Sequence, residues 1–203
     1  MITNSLLYEN SKLAAKSIKD PMSGFVRMII PFMKEGDFKI LDCGSGNFRN
    51  VIPLQDENLE VWSFDPFMDY FLGKKHYPSE ILVERDPRLQ DDFDIVISNY
   101  VLNVLPTEYR DPAIDLLKSI TTPNLMIEVR GFTSSFPPGS WKRYEDGWVT
   151  STPTFQKAFE VNDLINIADQ FNYPVRKYSK KGESLRLWLS EEENTYVSNF
   201  KNL

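Results

Sequence analysis

Cysteine and histidine each occur once in these 203 residues. One thiol excludes an internal disulfide framework, and a lone Cys43 with a lone His76 leaves too few ligands for a structural zinc ion. Both residues are expected to be structural. Long apolar runs are missing too: no stretch approaches the ~20 residues that cross a bilayer, and Met1-Ile2-Thr3-Asn4-Ser5 lacks a basic segment followed by an apolar one. No membrane partner and a cytoplasmic location are therefore expected. Positive charge is also scarce. A formal net charge of −6 and a pI of about 4.9 argue against broad electrostatic attraction to nucleic acid, while leaving room for a local basic surface. What is present, 41% hydrophobic and 26% charged residues, suffices for a single domain with one good core.

The most informative stretch is Lys39-Ile40-Leu41-Asp42-Cys43-Gly44-Ser45-Gly46-Asn47. Phe38 to Leu41 reads as a strand buried on both faces. Gly44 and Gly46 permit a tight turn that brings backbone close to a ligand, with Ser45 between them, and Asn47 is a plausible helix cap. A dinucleotide fingerprint wants a third glycine at position 49; Arg49 stands there, which disfavours pyrophosphate. The turn can still present backbone groups to the carboxylate and ammonium of an amino acid, with Asp42 near the positive end. Leu59 to Phe64 is the next strand, and it ends in Asp65, 19 residues after Gly46. A carboxylate at that distance suits the two ribose hydroxyls of a nucleoside. Pro66 follows, and Phe67 can wall or stack on the base. Ile81-Leu82-Val83 is a third strand leading into Glu84-Arg85-Asp86-Pro87, where Asp86 either receives an adenine amino group or is an exposed turn carboxylate. Phe93 to Ser98 is a fourth, delivering Ser98, Asn99 and Tyr100 to the carboxyl edge.

Val101 to Leu105 and Tyr109 to Ile120 read as helical, Leu125 to Arg130 as a fifth strand, and Phe155 to Phe171 as a long final helix. Tyr173 to Ser179 and Ser184 to Ser190 read as a closing hairpin around Lys180-Lys181-Gly182-Glu183. Helices within residues 1–33 are expected to pack beside the sheet and complete its core, the other reading being a part in closing the ligand pocket. Residues 131–153 form an aromatic insertion containing Phe132, Phe136, Trp141, Tyr144 and Trp148 with an Asp146-Gly147 turn. It is either a lid over a substrate, with Lys142 and Arg143 available to phosphate, or a satellite core. Arg176, Lys177, Lys180 and Lys181 form a basic cluster, which by itself is a solvated face.

This order of elements, with Leu41-Asp42-Cys43-Gly44-Ser45-Gly46 and Asp65, resembles the class I S-adenosylmethionine-dependent methyltransferases. The resemblance implies an α/β, Rossmann-like, doubly wound sheet of seven strands, mostly parallel with an antiparallel last strand. It implies S-adenosylmethionine as cofactor, held by Asp42, Gly44, Ser45, Gly46, Asp65, Pro66, Phe67, Asp86 and Ser98. A narrower set, Tyr100-Val101-Leu102-Asn103-Val104-Leu105 with Arg110, and Asp146-Gly147-Trp148-Val149-Thr150 leading to Thr154-Phe155-Gln156-Lys157, is similar to methyltransferase-like proteins associated with DNA phosphorothioation. That implies a link to nucleic-acid modification, with DNA or RNA as candidate acceptors. The Asp/Asn-Pro-Pro-aromatic run of base amino methyltransferases is replaced by Ser98-Asn99-Tyr100-Val101, which leaves Asn99 and Tyr100 as the candidate catalytic pair. Glu128 and Arg130 either orient substrate or form a structural ion pair. Two alternatives stand beside methyl transfer: a cofactor-binding module without catalysis, and an enzyme that degrades S-adenosylmethionine.

Overall fold

The structure is a computed structural model that describes residues 2–17, 19–72, 80–83 and 86–200. His76, Ile18 and the Glu84-Arg85 part of the third strand's exit lie outside the described residues.

Five short parallel strands carry the sheet: β1 (Lys39–Cys43), β2 (Glu60–Phe64), β3 (Glu80–Leu82), β4 (Ile95–Asn99) and β5 (Asn124–Arg130). Three short strands leave it, β6 (Lys142–Tyr144), β7 (Gly147–Val149) and β8 (Phe155–Gln156), before the closing hairpin β9 (Val175–Lys181) and β10 (Ser184–Ser190) returns. The seven strands lie in the order β3-β2-β1-β4-β5-β10-β9. Strand β10 is antiparallel to both its neighbours, β5 and β9. The chain reverses direction across the sheet between β1 and β4, and that switch point opens a crevice at the carboxyl ends of the strands.

Alternation along β4 sorts the core into two layers. Val96 faces Ile114 and Leu117 of α5 (Thr107–Ser119) and Leu164 and Ile167 of α6 (Val161–Ala168). Ile95 and Ile97 face α2 (Gly24–Met33), through Phe25, Ile29 and Met33, and Leu54 of α3 (Val51–Asp56). Trp188 of β10 is 1% exposed on that same layer. Among the described residues no helix is long and apolar enough to cross a membrane.

The long final helix is corrected. Residues Phe155–Gln156 are extended and pair with β7, and α6 begins only at Val161. The cause is tertiary: the Lys157 N–H donates to the Asn103 carbonyl and the Phe159 N–H to that of Arg130, each at 2.7 Å. Those donors are spent before a helical ladder can form, and the helix starts where the Asp163 carboxylate accepts from the Glu160 N–H at 2.8 Å. Residues 101–105 are likewise not a helix but a single 3₁₀ turn, Leu102–Val104. Asn47 does not cap α3, which begins at Val51 after Asn50. Its amide donates instead to the carbonyls of Ala15 and Lys16.

The hairpin β6–β7 turns at Glu145-Asp146, and Asp146 is gripped from two sides. Arg110 of α5 reaches its carboxylate at 2.7 and 3.1 Å, and Lys157 at 2.8 Å. The same guanidinium donates to the carbonyls of Leu102 and Leu105. Gly147 is needed because a Cβ there would lie 2.4 Å from the Phe155 ring. The hairpin in turn carries α1 (Asn4–Glu9): Tyr144 donates to Asn4, Asn4 to Glu145 and Glu108, and Leu7 packs with Val149 and Phe155. Replacing Arg110 by Leu would strand two carbonyls and leave Lys157 as the remaining cation on the half-buried Asp146 carboxylate. Equilibrium urea denaturation is expected to show a loss of roughly 2–4 kcal/mol.

Candidate functional site

A cavity of about 870 Å³ occupies the switch-point crevice. Ten of the expected site residues line it together: Gly44, Ser45, Gly46, Asp65, Pro66, Phe67, Asp86, Ser98, Asn99 and Tyr100. Asp42 is not on the lining. It lies one residue inside, 1% exposed.

The turn after β1 is bound inward. The N–H groups of Gly44 and Ser45 both donate to the Phe64 carbonyl, at 2.8 and 3.0 Å, and that of Gly46 donates to Asp65 Oδ2 at 3.0 Å. These three amides therefore tie the turn to the end of β2. Gly44 has φ of +88°, and a Cβ there would lie 2.2 Å from Val101, so both conformation and space demand glycine. Ser63 donates to the Ser45 hydroxyl at 2.6 Å and fixes it from below.

Asp65 receives a second amide, the Phe67 N–H, on Oδ1 at 2.9 Å. Each oxygen keeps acceptor capacity, so the carboxylate is aimed at the cavity by its own backbone and can take two hydroxyl donors. Burial raises its pKa to about 6 despite those amides. Asp42 is raised further, to about 7, again by burial first; its Oδ2 takes only a 3.5 Å bond from Asn50, and Oδ1 is buried without a partner among the described residues. An uncompensated carboxylate of this kind favours a positive ligand nearby. Asp86 behaves oppositely: two hydrogen bonds from the Arg88 side chain and one from its N–H hold it down at about 2.

At the end of β4, Asn99 is 9% exposed, and both its amide atoms are buried without partners among the described residues. Tyr100 takes a left-handed backbone (φ +60°), with its N–H on the Glu128 carbonyl at 2.7 Å. Its hydroxyl is bonded to that of Ser184, and burial together with the Glu128 charge raises its pKa. That phenol is no base. Glu128 is a buried ion-pair residue, 3.0 Å from Arg186 and accepting from the Ser23 hydroxyl. Arg130, by contrast, lines the cavity.

Several lining residues were not singled out in the sequence, although a pocket-closing part for the N-terminal helices was one of two readings. Tyr8, Ser11, Lys12 and Ala15 roof the cavity, with the Tyr8 ring stacked 4.2 Å from Tyr109 and tilted 5.1 Å from Phe67. Asn103 and Gln156 also line it, joined amide to amide at 3.3 Å. Both belong to the narrower sequence signature, which was the available signal. Among the described residues none of 131–153 lines the cavity. There Phe136 packs edge-on against Phe132, Trp141 and Trp148, and Arg143 lies over Trp148. In the basic cluster, Arg176 and Lys177 are paired with Asp169 and Glu193.

No family model matches this sequence, and no curated protein matches it. Solved structures do. Magnesium protoporphyrin IX methyltransferase from Synechocystis PCC 6803, with bound SAH, is 15% identical with a TM-score of 0.56, over 95% of this chain and 89% of that one. The 1,6-didemethyltoxoflavin-N1-methyltransferase of Burkholderia thailandensis, with S-adenosylhomocysteine, is 11% identical at 0.56, over 94% and 87%. The glycopeptide N-methyltransferase MtfA, complexed with S-adenosyl-L-methionine, is 10% identical at 0.58, over 88% and 91%. The chain has the class I methyltransferase fold. At these identities the likeness concerns the fold alone.

A carboxyl whose folded pKa is raised stabilises the fold while protonated and loses that contribution as pH rises through the folded value. Asp42 and Asp65 should therefore make the free protein less stable as pH climbs from about 4 to about 7. Melting curves are expected to fall across that window. Asp42→Asn should flatten the fall by an amount on the order of a few kcal/mol. An unchanged slope in the variant would refute the assignment.

Proposed function

We propose that the chain is an S-adenosylmethionine-dependent methyltransferase. The observation that carries this is Asp65: a buried carboxylate at the end of β2, fixed by the amides of Gly46 and Phe67 and opening on the cavity. Such a group is organised for a ribose diol before the ligand arrives. Phe67 and Tyr8 supply apolar walls for the base, and Asp86 the edge where an amino group ends. Asp42 and its unpartnered oxygen favour the positive end of the methionine part.

Bound there, the cofactor would supply an electrophilic methyl group to an acceptor's lone pair. The chain's share is alignment and exclusion of water. Asn99 and Tyr100 line the cavity at the end of β4 and would contact an acceptor, and Tyr8, Ser11, Lys12 and Ala15 cover part of it. The three similar enzymes are named for a porphyrin, a toxoflavin precursor and a glycopeptide, so fold does not select the acceptor. The likeness to phosphorothioation-associated proteins proposes a setting in nucleic-acid modification rather than an acceptor.

Isothermal titration calorimetry with S-adenosylmethionine and S-adenosylhomocysteine tests the reading. Binding of both is expected, weakened roughly 10- to 100-fold in Asp65→Ala through loss of charge-assisted hydrogen bonds. Absence of binding to the wild-type chain would sink the proposal.

A further inference from the structure

The cavity holds polar groups that the cofactor reading leaves idle, and they gather on one side. Asn99 pairs in register with Glu128, so Arg130 stands two residues further along the neighbouring strand on the same face, roughly 7 Å on. The Asn99 amide presents a buried donor and a buried acceptor, both without partners among the described residues, and the Arg130 Nε is in the same condition. The one ion pair of Arg130 among the described residues is a 3.9 Å contact with Glu183, whose side chain is 54% exposed. Buried donors and acceptors are almost always satisfied in folded proteins, so an unpaired set on a cavity wall asks for a ligand.

We infer that Asn99 and Arg130 form the acceptor subsite, and that it takes a small molecule bearing a carboxylate or phosphate beside a group that both donates and accepts hydrogen bonds. This rests on reading the cavity as a methyl-transfer site. A guanidinium matches the planar, two-oxygen edge of such an anion, and a carboxamide matches a donor–acceptor pair. Arg49, also on the lining with its guanidinium 5.9 Å from the Tyr100 ring, adds a second positive charge. Size follows from the cover. Tyr8, Ser11 and Lys12 cover part of the cavity, and Asn10, donating to the Pro153 carbonyl at 2.9 Å, pins that cover to the end of the insertion. A nucleic-acid strand would have to displace these contacts against a chain of net charge −6.

The test is thermal denaturation of the full chain saturated with S-adenosylhomocysteine, titrated at constant ionic strength with inorganic phosphate, benzoate, benzamide and 4-carbamoylbenzoate. Either phosphate or 4-carbamoylbenzoate should stabilise the wild type, with apparent affinity at least ~10-fold lower in Arg130→Gln. Glu183→Gln, which removes the competing carboxylate, should raise that affinity severalfold and decides the matter if Arg130→Gln does not fold. Asn99→Ala should weaken 4-carbamoylbenzoate while leaving benzoate unchanged. Equal affinity in wild type and Arg130→Gln, or no response to any of the four probes, overturns the inference. So does Arg130-dependent binding of a single-stranded oligonucleotide without a response to the small anions. If S-adenosylhomocysteine fails to bind while the anion response keeps its dependence on Arg130, the cofactor reading falls and the anion subsite stands.

Discussion

A buried polar chain beneath the cavity sets the terms for this molecule. Asp42, at the end of β1, takes the Asn50 side-chain amide; Asn50 Oδ1 accepts from the Ser23 N–H at 3.0 Å; the Ser23 hydroxyl donates to Glu128; and Glu128 is paired with Arg186. Glu128 and Arg186 have side chains only 1% and 5% exposed, so neither charge is relieved by water. A pair of this kind adds little net stability compared with apolar packing, but removing one partner costs about 3–5 kcal/mol. Its effect is on geometry: it joins the entry to α2, the start of α3, β1, β5 and β10 at one level, directly under the residues that face the cavity.

The second constraint lies above the cavity. Asp146 draws Arg110 and Lys157 together, and through them it sets the backbone at Leu102, Leu105 and Asn103. That loop carries the wall after Asn99 and Tyr100. The hairpin bearing Asp146 also holds α1, so roof and wall are positioned by one ionic junction rather than by the sheet. Desolvation opposes ionisation of Asp146, yet the two cations prevail and hold its carboxyl well below the usual range. Desolvated carboxylates and cation-paired carboxylates therefore respond to pH in opposite senses: Asp42 and Asp65 are costly to ionise, while Asp86 and Asp146 are costly to protonate.

Much of the sheet was legible because strands buried on both faces leave continuous apolar runs. Ile40-Leu41 and Ile95-Val96-Ile97 can be placed without knowing their neighbours, and Asp65 was legible as the polar residue that ends such a run. Residues 155–160 were not, since Phe155, Ala158 and Phe159 have helical spacing while their chain is held extended by carbonyls at Asn103 and Arg130. The roof was equally hidden. Tyr8 and Lys12 sit in an ordinary amphipathic segment, and nothing local tells that it docks on a hairpin formed far along the chain.

Taken alone, the sequence determined the chain order of the seven sheet strands, the two glycines the turn requires, and the carboxylate that follows the second strand, since each depends on short-range sterics and periodicity. Tertiary structure decided the rest. It turned the amides of Gly44, Ser45 and Gly46 toward β2 instead of a ligand, withdrew Asp42 from the lining, committed Glu128 to Arg186, and left the Asn99 amide and the Arg130 Nε without hydrogen-bond partners among the described residues. Whether a polar group is spent or free depends on which distant partner packing brings within 3 Å, and local sequence does not carry that distance.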